Sequence, residues 1–371
     1  MVINTVSSYL ETLQNSLFTG KMENSTIIDS RGLPARFFFR GQPADYNETN
    51  NVASIFRDGK RKNEYAYTNE YMRRYTEQFN QLENNFSRLT YMQHYGLPTR
   101  LLDVTTNALV ALYFACQPHD NDDGLVSVFS SNRSRNDNAA YSYFSSHSDT
   151  VEILSTLALM NEEIKEKIFR KITDFNKAIN SINNAIHDEV KQSYQNNTEI
   201  DYFNVWYNDQ IKKEKSEDIL NNIELKAYNK RKFKYNEKYD SLNDSYEIKC
   251  LYHDIRRDVN YFDNIINFHQ LLLPFFVEPS LNNERLRAQS GFFLFEPYAA
   301  KSCVPKNIHD NIKKNISLLD KKGYEITLTI PNDNKEAILK ELDIYCDINR
   351  ATLFPDKENV SSYISQTFLK D

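Results

Sequence analysis

The sequence predicts an α+β fold: a small mixed sheet assembled from N- and C-terminal segments, with a large helical insertion between them. Three observations carry this. Short apolar or alternating runs lie toward both ends of the chain, at 36–41, 125–129, 290–296 and 324–330. The region from Val151 to about Lys230 is rich in Lys and Glu, contains no Gly, and repeats its apolar residues at helical spacing. The composition, 40% hydrophobic and 26% charged over 371 residues, is that of an ordinary globular chain.

Each element follows from a local pattern. Residues 4–18 read as an amphipathic helix, because Val6, Leu10, Leu13 and Leu17 recur at steps of three and four. RFFFRG, Arg36 to Gly41, reads as a short buried strand. Tyr65 to Ser87 reads as one helical stretch with Met72, Tyr75, Phe79, Leu82 and Phe86 along its apolar stripe. In Tyr91 to Cys116, Pro98 pushes the residue before it toward extended backbone, so LPTRLLD enters a short strand. Thr105, Thr106 or Asn107 can then cap a helix over ALVALYFA. That helix is apolar on nearly every face, so Leu109, Leu112, Tyr113 and Phe114 are expected in the core. LVSVF, Leu125 to Phe129, is the next strand, and the helical insertion is placed at about 155–270. SGFFLFEPY, Ser290 to Tyr298, and YEITLTIP, Tyr324 to Pro331, read as strands. Asn334 to Leu342 reads as a short helix capped by Asp333 or Asn334, and the Asn-rich patches at 131–138 and 194–198 read as loops. The expected division is an N-terminal helix within 1–30 and one domain over 31–365.

Bulk properties narrow the function. A net charge of −6 and a pI near 5.8 argue against broad electrostatic binding to nucleic acid and leave room only for a local basic surface. Only eight Gly are present, with no G-x-G-x-x-G or P-loop pattern, which disfavours a glycine-rich phosphate loop. Cys116, Cys250, Cys303 and Cys346 are far apart and form no C-x-x-C pair, so neither a zinc site nor a disulfide framework is indicated and no metal is expected. The N-terminal residues lack the basic and apolar regions of a signal peptide, and no run approaches 18 apolar residues. A cytoplasmic protein without a membrane partner is expected. The 24 Tyr and 23 Phe suit stacking sites and interfaces as well as cores.

Three polar clusters sit beside strands. In FFFRGQ, Arg40 follows three phenylalanines, which places a fixed planar cation at the end of a buried strand, with Gln42 close by. A guanidinium suits a carboxylate, phosphate or pyrophosphate; the competing reading is an Arg at the core edge paired with Asp103. In the second cluster His94, Thr99, Arg100 and Asp103 precede the buried helix, whose N-terminus favours anionic groups. Here the competing reading bonds His94 to a backbone carbonyl and pairs Arg100 with Asp103. The third is NERLRAQSGFFLF, Asn283 to Phe295, where Arg285 and Arg287 alternate along an extended entry to the strand and Gln289 precedes it.

These residues also carry a resemblance. Phe39-Arg40-Gly41, the run from Met92 to Asp103, Ala111 to Ala115, Asn283 to Phe293, and Leu353-Phe354-Pro355-Asp356 together resemble the signatures of the FRG domain family of bacteria, over roughly residues 35 to 365. Two positions depart from its pattern: Val104 stands where Trp is frequent, and Ala108 where Pro is frequent. Family resemblance implies a component of bacterial conflict or antiphage systems, with a layout like that of ADP-ribosyltransferases. By that analogy NAD is the substrate. Arg40, with Gln42, Thr99 and Arg100, binds it; His94, Gln289 and Glu284 act at the reacting centre; Asp103 and Thr105 support the site. Position 289 holds Gln where a carboxylate is usual, which is why Glu284 is included. The analogy leaves room for a protein or nucleic-acid acceptor and for an antitoxin or regulatory partner. Two rivals differ in class. One is a non-enzymatic module that binds a nucleotide or phage component through the same arginines. The other is a nucleic-acid-processing enzyme, disfavoured by the acidic pI and the lack of clustered carboxylates.

Overall fold

A computed structural model of the protein describes residues 1–17, 36–131, 143–197, 217–280, 283–320 and 323–368. Its centre is a seven-stranded mixed sheet. The strands are β1 (Phe37–Gln42), β2 (Leu101–Thr105), β3 (Gly124–Ser130), β4 (Tyr143–Ser145), β5 (Phe275–Glu278), β6 (Gly291–Phe295) and β7 (Thr327–Ile330), in the spatial order β4-β5-β6-β2-β1-β3-β7. Every neighbouring pair is antiparallel except β4 and β5. Parallel strands need a long crossover, and the helical insertion supplies it. Between β4 and β5 run helices Asp149–Leu159, Glu162–Asn197, Glu217–Asn243 and Tyr246–Ile255.

The sheet is nearly split in two. β1 and β3 pair along six residues and β2 and β6 along five, but β1 and β2 register only at Phe39↔Thr105. Side chains alternate between faces, and this seam divides the core on one of them. On one face Leu101, Phe275, Phe293 and Phe295 pack under the insertion helices, whereas Phe39, Val126, Val128 and Leu328 pack under helices Ala108–Ala115 and Asn332–Cys346. The opposite face buries Phe38, Leu102, Val104 and Leu294 against residues 52–56 and helix Pro305–Asn315. Two glycines bring helix Ala108–Ala115 onto the sheet. A Cβ on Gly41 would lie 1.8 Å from the Ala111 carbonyl oxygen, and one on Gly124 would lie 2.1 Å from that of Ala115.

Several expected elements differ in detail. The first helix is Val6–Leu17, and Tyr9 rather than Leu10 completes its buried face. The Tyr65–Ser87 stretch is divided among helices Glu64–Arg74, Thr76–Asn80 and Asn85–His94, and Tyr75 is exposed at the first break. Within helix Ala108–Ala115, Leu112 and Tyr113 are buried, while Leu109 and Phe114 are half-buried. Asn107 is the cap, accepting from the Leu109 N–H at 3.0 Å. NERLRA is not extended: Glu284–Ala288 is a short helix capped by Asn283. The helix after β7 is longer than expected, Asn332–Cys346, with Pro331 before it. Residues 194–197 belong to a helix, not a loop, while 132–138 and 198 lie outside the described residues. Strands β4 and β5 are short and gave no alternating pattern long enough to read.

Under the cleft face, Asn85 donates to Glu152 at 3.1 Å and to Thr156 at 3.0 Å. Burial, helped by Asp258, pushes the Glu152 carboxyl up to about 7, against the pull of Asn85, Thr156 and Arg88. A carboxyl raised in the folded state stabilises fully below its unfolded value near 4.5, and that stability is lost as pH rises toward and through 7. Glu152→Gln keeps an acceptor for Asn85 and removes the titration. It should therefore stabilise by roughly 1–3 kcal/mol at pH 8 and by little at pH 4. Denaturant midpoints at the two pH values check this; equal shifts at both would contradict it.

Candidate functional site

At the seam an open cleft of about 730 Å³ lies between helices Asn85–His94 and Glu284–Ala288. Arg40, His94, Asp103, Thr105 and Gln289 all line it, although they come from four separate stretches of the chain. Aromatic side chains, among them Phe86, Tyr91, Tyr95 and Phe114, form much of its wall.

The polar residues of the longest signature converge on Asp103. Leu101 N–H donates to the Thr99 hydroxyl, which donates to the Gln93 amide oxygen at 2.8 Å. The Gln93 amide nitrogen donates to Asp103 Oδ2 at 3.0 Å. Arg40 holds the same residue from the other strand, its Nη1 donating to the Asp103 carbonyl oxygen at 2.8 Å. The guanidinium thus occupies the gap where β1 and β2 cease to pair. Asp103 is nevertheless exposed, and it is the one carboxylate among the described residues that line the cleft. An exposed acid oriented by Gln93 and held through its backbone by Arg40 is a preorganised group.

Arg40 is half-buried, and its Nε finds no partner among the described residues. Burial lowers its guanidinium to about 10, opposed by Asp103 and reinforced by Arg57. It remains a cation at neutral pH. Behind it lies Glu296, fully buried, with one carboxyl oxygen accepting from the Ala53 N–H and the other unpartnered among the described residues. Burial pushes this carboxyl well above its usual range, although Ala53, Arg57 and Arg40 oppose the shift.

The remaining expected residues are placed as follows. Arg100 is fully buried and does not line the cleft; its guanidinium is committed to Glu64, with Nη2 to Oε2 at 2.7 Å. Lys165 donates to the same Glu64 oxygen at 2.8 Å, and Arg61 joins the network through Glu162 and Glu166. Burial alone would raise the Glu64 carboxyl, but Arg100, Lys165 and Arg61 hold it far below the usual carboxylate range. Thr99 is buried and acts on Asp103 only through Gln93. Gln42 is buried with both ends of its amide used, on the Asn50 side chain and the Asn51 N–H. Glu284 is exposed at the start of its helix and outside the cleft lining. Gln289 is tied at one end, its amide nitrogen donating to the Leu353 carbonyl at 3.0 Å. Thr105 donates to the Gln289 carbonyl at 2.7 Å and so ties the end of β2 to the turn before β6. His94 is exposed, its ring 4.9 Å from that of Tyr95.

Sequence reasoning passed over Gln93 as a positioning group and gave Arg285 no role in the site; it lines the cleft with its guanidinium 4.4 Å from the Phe354 ring. Of the two departures from the family pattern, Val104 is buried and packs on the opposite face, while the Ala108 carbonyl accepts from the Tyr9 hydroxyl at 2.8 Å.

Residues 35–124 match the family model for the FRG domain, so that domain is present here and contains Arg40, Gln93, His94 and Asp103. No curated protein and no solved structure matches the chain. Among the described residues no helix is long and apolar enough to cross a membrane.

Proposed function

We propose that the cleft binds NAD, cleaves its nicotinamide–ribose bond and passes the ADP-ribosyl group to a protein or nucleic-acid acceptor, as an effector of bacterial conflict or antiphage defence. The observation that carries this reading is the convergence of the signature on Asp103, an exposed carboxylate held beside the Arg40 cation in an aromatic cleft. NAD supplies two phosphates for a guanidinium and flat rings for aromatic walls. When the glycosidic bond breaks, its electron pair leaves with nicotinamide and positive charge develops at the ribose carbon. A fixed carboxylate stabilises that charge because it needs no reorganisation at the moment of reaction. The acceptor's oxygen or nitrogen then bonds to the ribose carbon and gives up its proton. In this scheme Asp103 takes the part first assigned to Gln289 and Glu284, and His94 and Gln289 contact the substrate.

The test is to incubate the purified chain with NAD, measure free nicotinamide, and compare NAD affinity for the wild type and Arg40→Lys. Wild type should release nicotinamide. Lysine keeps the charge but loses the planar fork, so affinity should fall by about tenfold or more. The absence of both binding and release would contradict the proposal, and binding without release would leave a nucleotide-binding module in its place.

A further inference from the structure

Among the described residues that line the cleft, the charged side chains are Arg40, Asp103 and Arg285. Two cations against one anion is the reverse of the balance in the whole chain, whose net charge is −6. Arg61, Arg88 and Arg100 each meet a carboxylate at ion-pair distance. Among the described residues Arg40 and Arg285 do not. Arg40 gives one nitrogen to the neutral Asp103 carbonyl, and Arg285 lies over a ring.

The surroundings of Arg285 fix its guanidinium and leave its N–H edge exposed. Helix Glu284–Ala288 presents the residue, and the Asn283 cap accepts its backbone N–H at 2.8 Å. The guanidinium lies 4.4 Å from the centroid of the Phe354 ring, and that ring packs edge-on against Phe114 of the cleft wall at 6.1 Å. Next to the ring in sequence, the Leu353 carbonyl accepts from the Gln289 amide, so the end of the same helix is tied to the platform. Stacking uses the flat face of a guanidinium, and its donors lie in the plane and point away from the ring. At Arg285 none of those donors has a protein acceptor among the described residues, and the side chain is exposed.

We infer that Arg285 is a second phosphate-binding residue of the cleft, and that the pyrophosphate of a dinucleotide is held between Arg285 and Arg40. The inference deepens the reading of the cleft as an NAD site and rests on it. The cleft offers a carboxylate, two guanidinium groups and aromatic walls. NAD offers a cationic pyridinium end, two linked phosphates and a flat adenine. Arg40 has already given one nitrogen to the Asp103 carbonyl, so the second phosphate needs another donor set, and Arg285 supplies it. Hydrogen bonds from a guanidinium to phosphate are charge-assisted at both ends, which makes them the strongest contacts the cleft can form.

Isothermal titration of the full chain tests this with two probes: NAD, and ADP-ribose, which keeps both phosphates and has no nicotinamide to release. Arg285→Gln should weaken binding of both by about tenfold or more, and Arg285→Lys should recover part of the loss. Phe354→Leu keeps the charge and removes its platform, so it should weaken both by about threefold. In turnover Arg285→Gln should raise KM by about tenfold and change kcat by less than about threefold, because phosphate is held equally in the ground and transition states. Melting curves confirm that the variants fold. If wild type binds NAD and Arg285→Gln binds it as tightly, the inference is overturned and the NAD reading stands. If wild type binds neither probe, both are overturned. A loss that lysine does not partly restore, or one that falls on kcat with KM unmoved, would make Arg285 a support of the fold and overturn its role as a phosphate ligand.

Discussion

Asp103→Asn should lose about 10²–10³-fold in nicotinamide release, the usual effect of removing one preorganised group from a developing charge. Asparagine has the same shape, and its oxygen can still accept from Gln93, so the substitution removes charge rather than structure. The side chain is exposed, and its stability effect should stay within about 0.5 kcal/mol, as for other surface positions. Gln93→Leu acts one step away. It leaves the carboxylate charged but free to rotate, so its effect should be smaller, about tenfold, and should appear in kcat more than in KM. Turnover assays and denaturation curves on the same samples check both. Unaltered release by Asp103→Asn would move the chemistry to another group.

Arg100→Ala should act on the opposite quantity. Its guanidinium is fully buried beside Glu64, stacked near Phe56 and Tyr298 with centroid distances of 5.4 and 5.2 Å. Removing one partner leaves a buried carboxylate short of compensation, and breaking such a pair costs about 3–5 kcal/mol. That is a large share of the roughly 5–15 kcal/mol by which a native protein is stable. Glu64→Ala should be comparably damaging, because it takes the shared carboxylate from both Arg100 and Lys165. The double variant Arg100→Met/Glu64→Met should recover part of the loss, since both charges go at once. Urea denaturation of the three variants measures this. A single variant as stable as wild type would show that the pair is dispensable.

These two arginines show what the sequence could and could not tell. Arg40 and Arg100 stand in equally polar surroundings within the chain, and each invites a ligand. Their difference is made by partners that lie far away in sequence: Glu64 precedes Arg100 by 36 positions, and Lys165 follows it by 65. Neither partner belongs to a motif. The seam that leaves Arg40 beside a cleft is likewise a property of strand pairing, which local periodicity does not encode. What was legible was whatever depends on near neighbours: the strands RFFFRG and GFFLF, the buried helix ALVALYFA, and the long helices of the insertion. In the sequence Asp103 has two candidate partners, Arg40 and Arg100, and both make it a supporting residue. In the folded chain Arg100 is taken by Glu64, Arg40 bonds the Asp103 carbonyl, and Gln93 orients the carboxylate.

The most direct measurement is a crystal structure of Asp103→Asn soaked with NAD, in which slow turnover preserves the substrate. The pyrophosphate should lie on Arg40, with the nicotinamide ribose at residue 103 and an aromatic ring of the cleft wall against one of the bases. NAD bound elsewhere, or a cleft that stays empty at saturating NAD while Arg40 keeps its contact with the residue 103 carbonyl, would contradict the assignment.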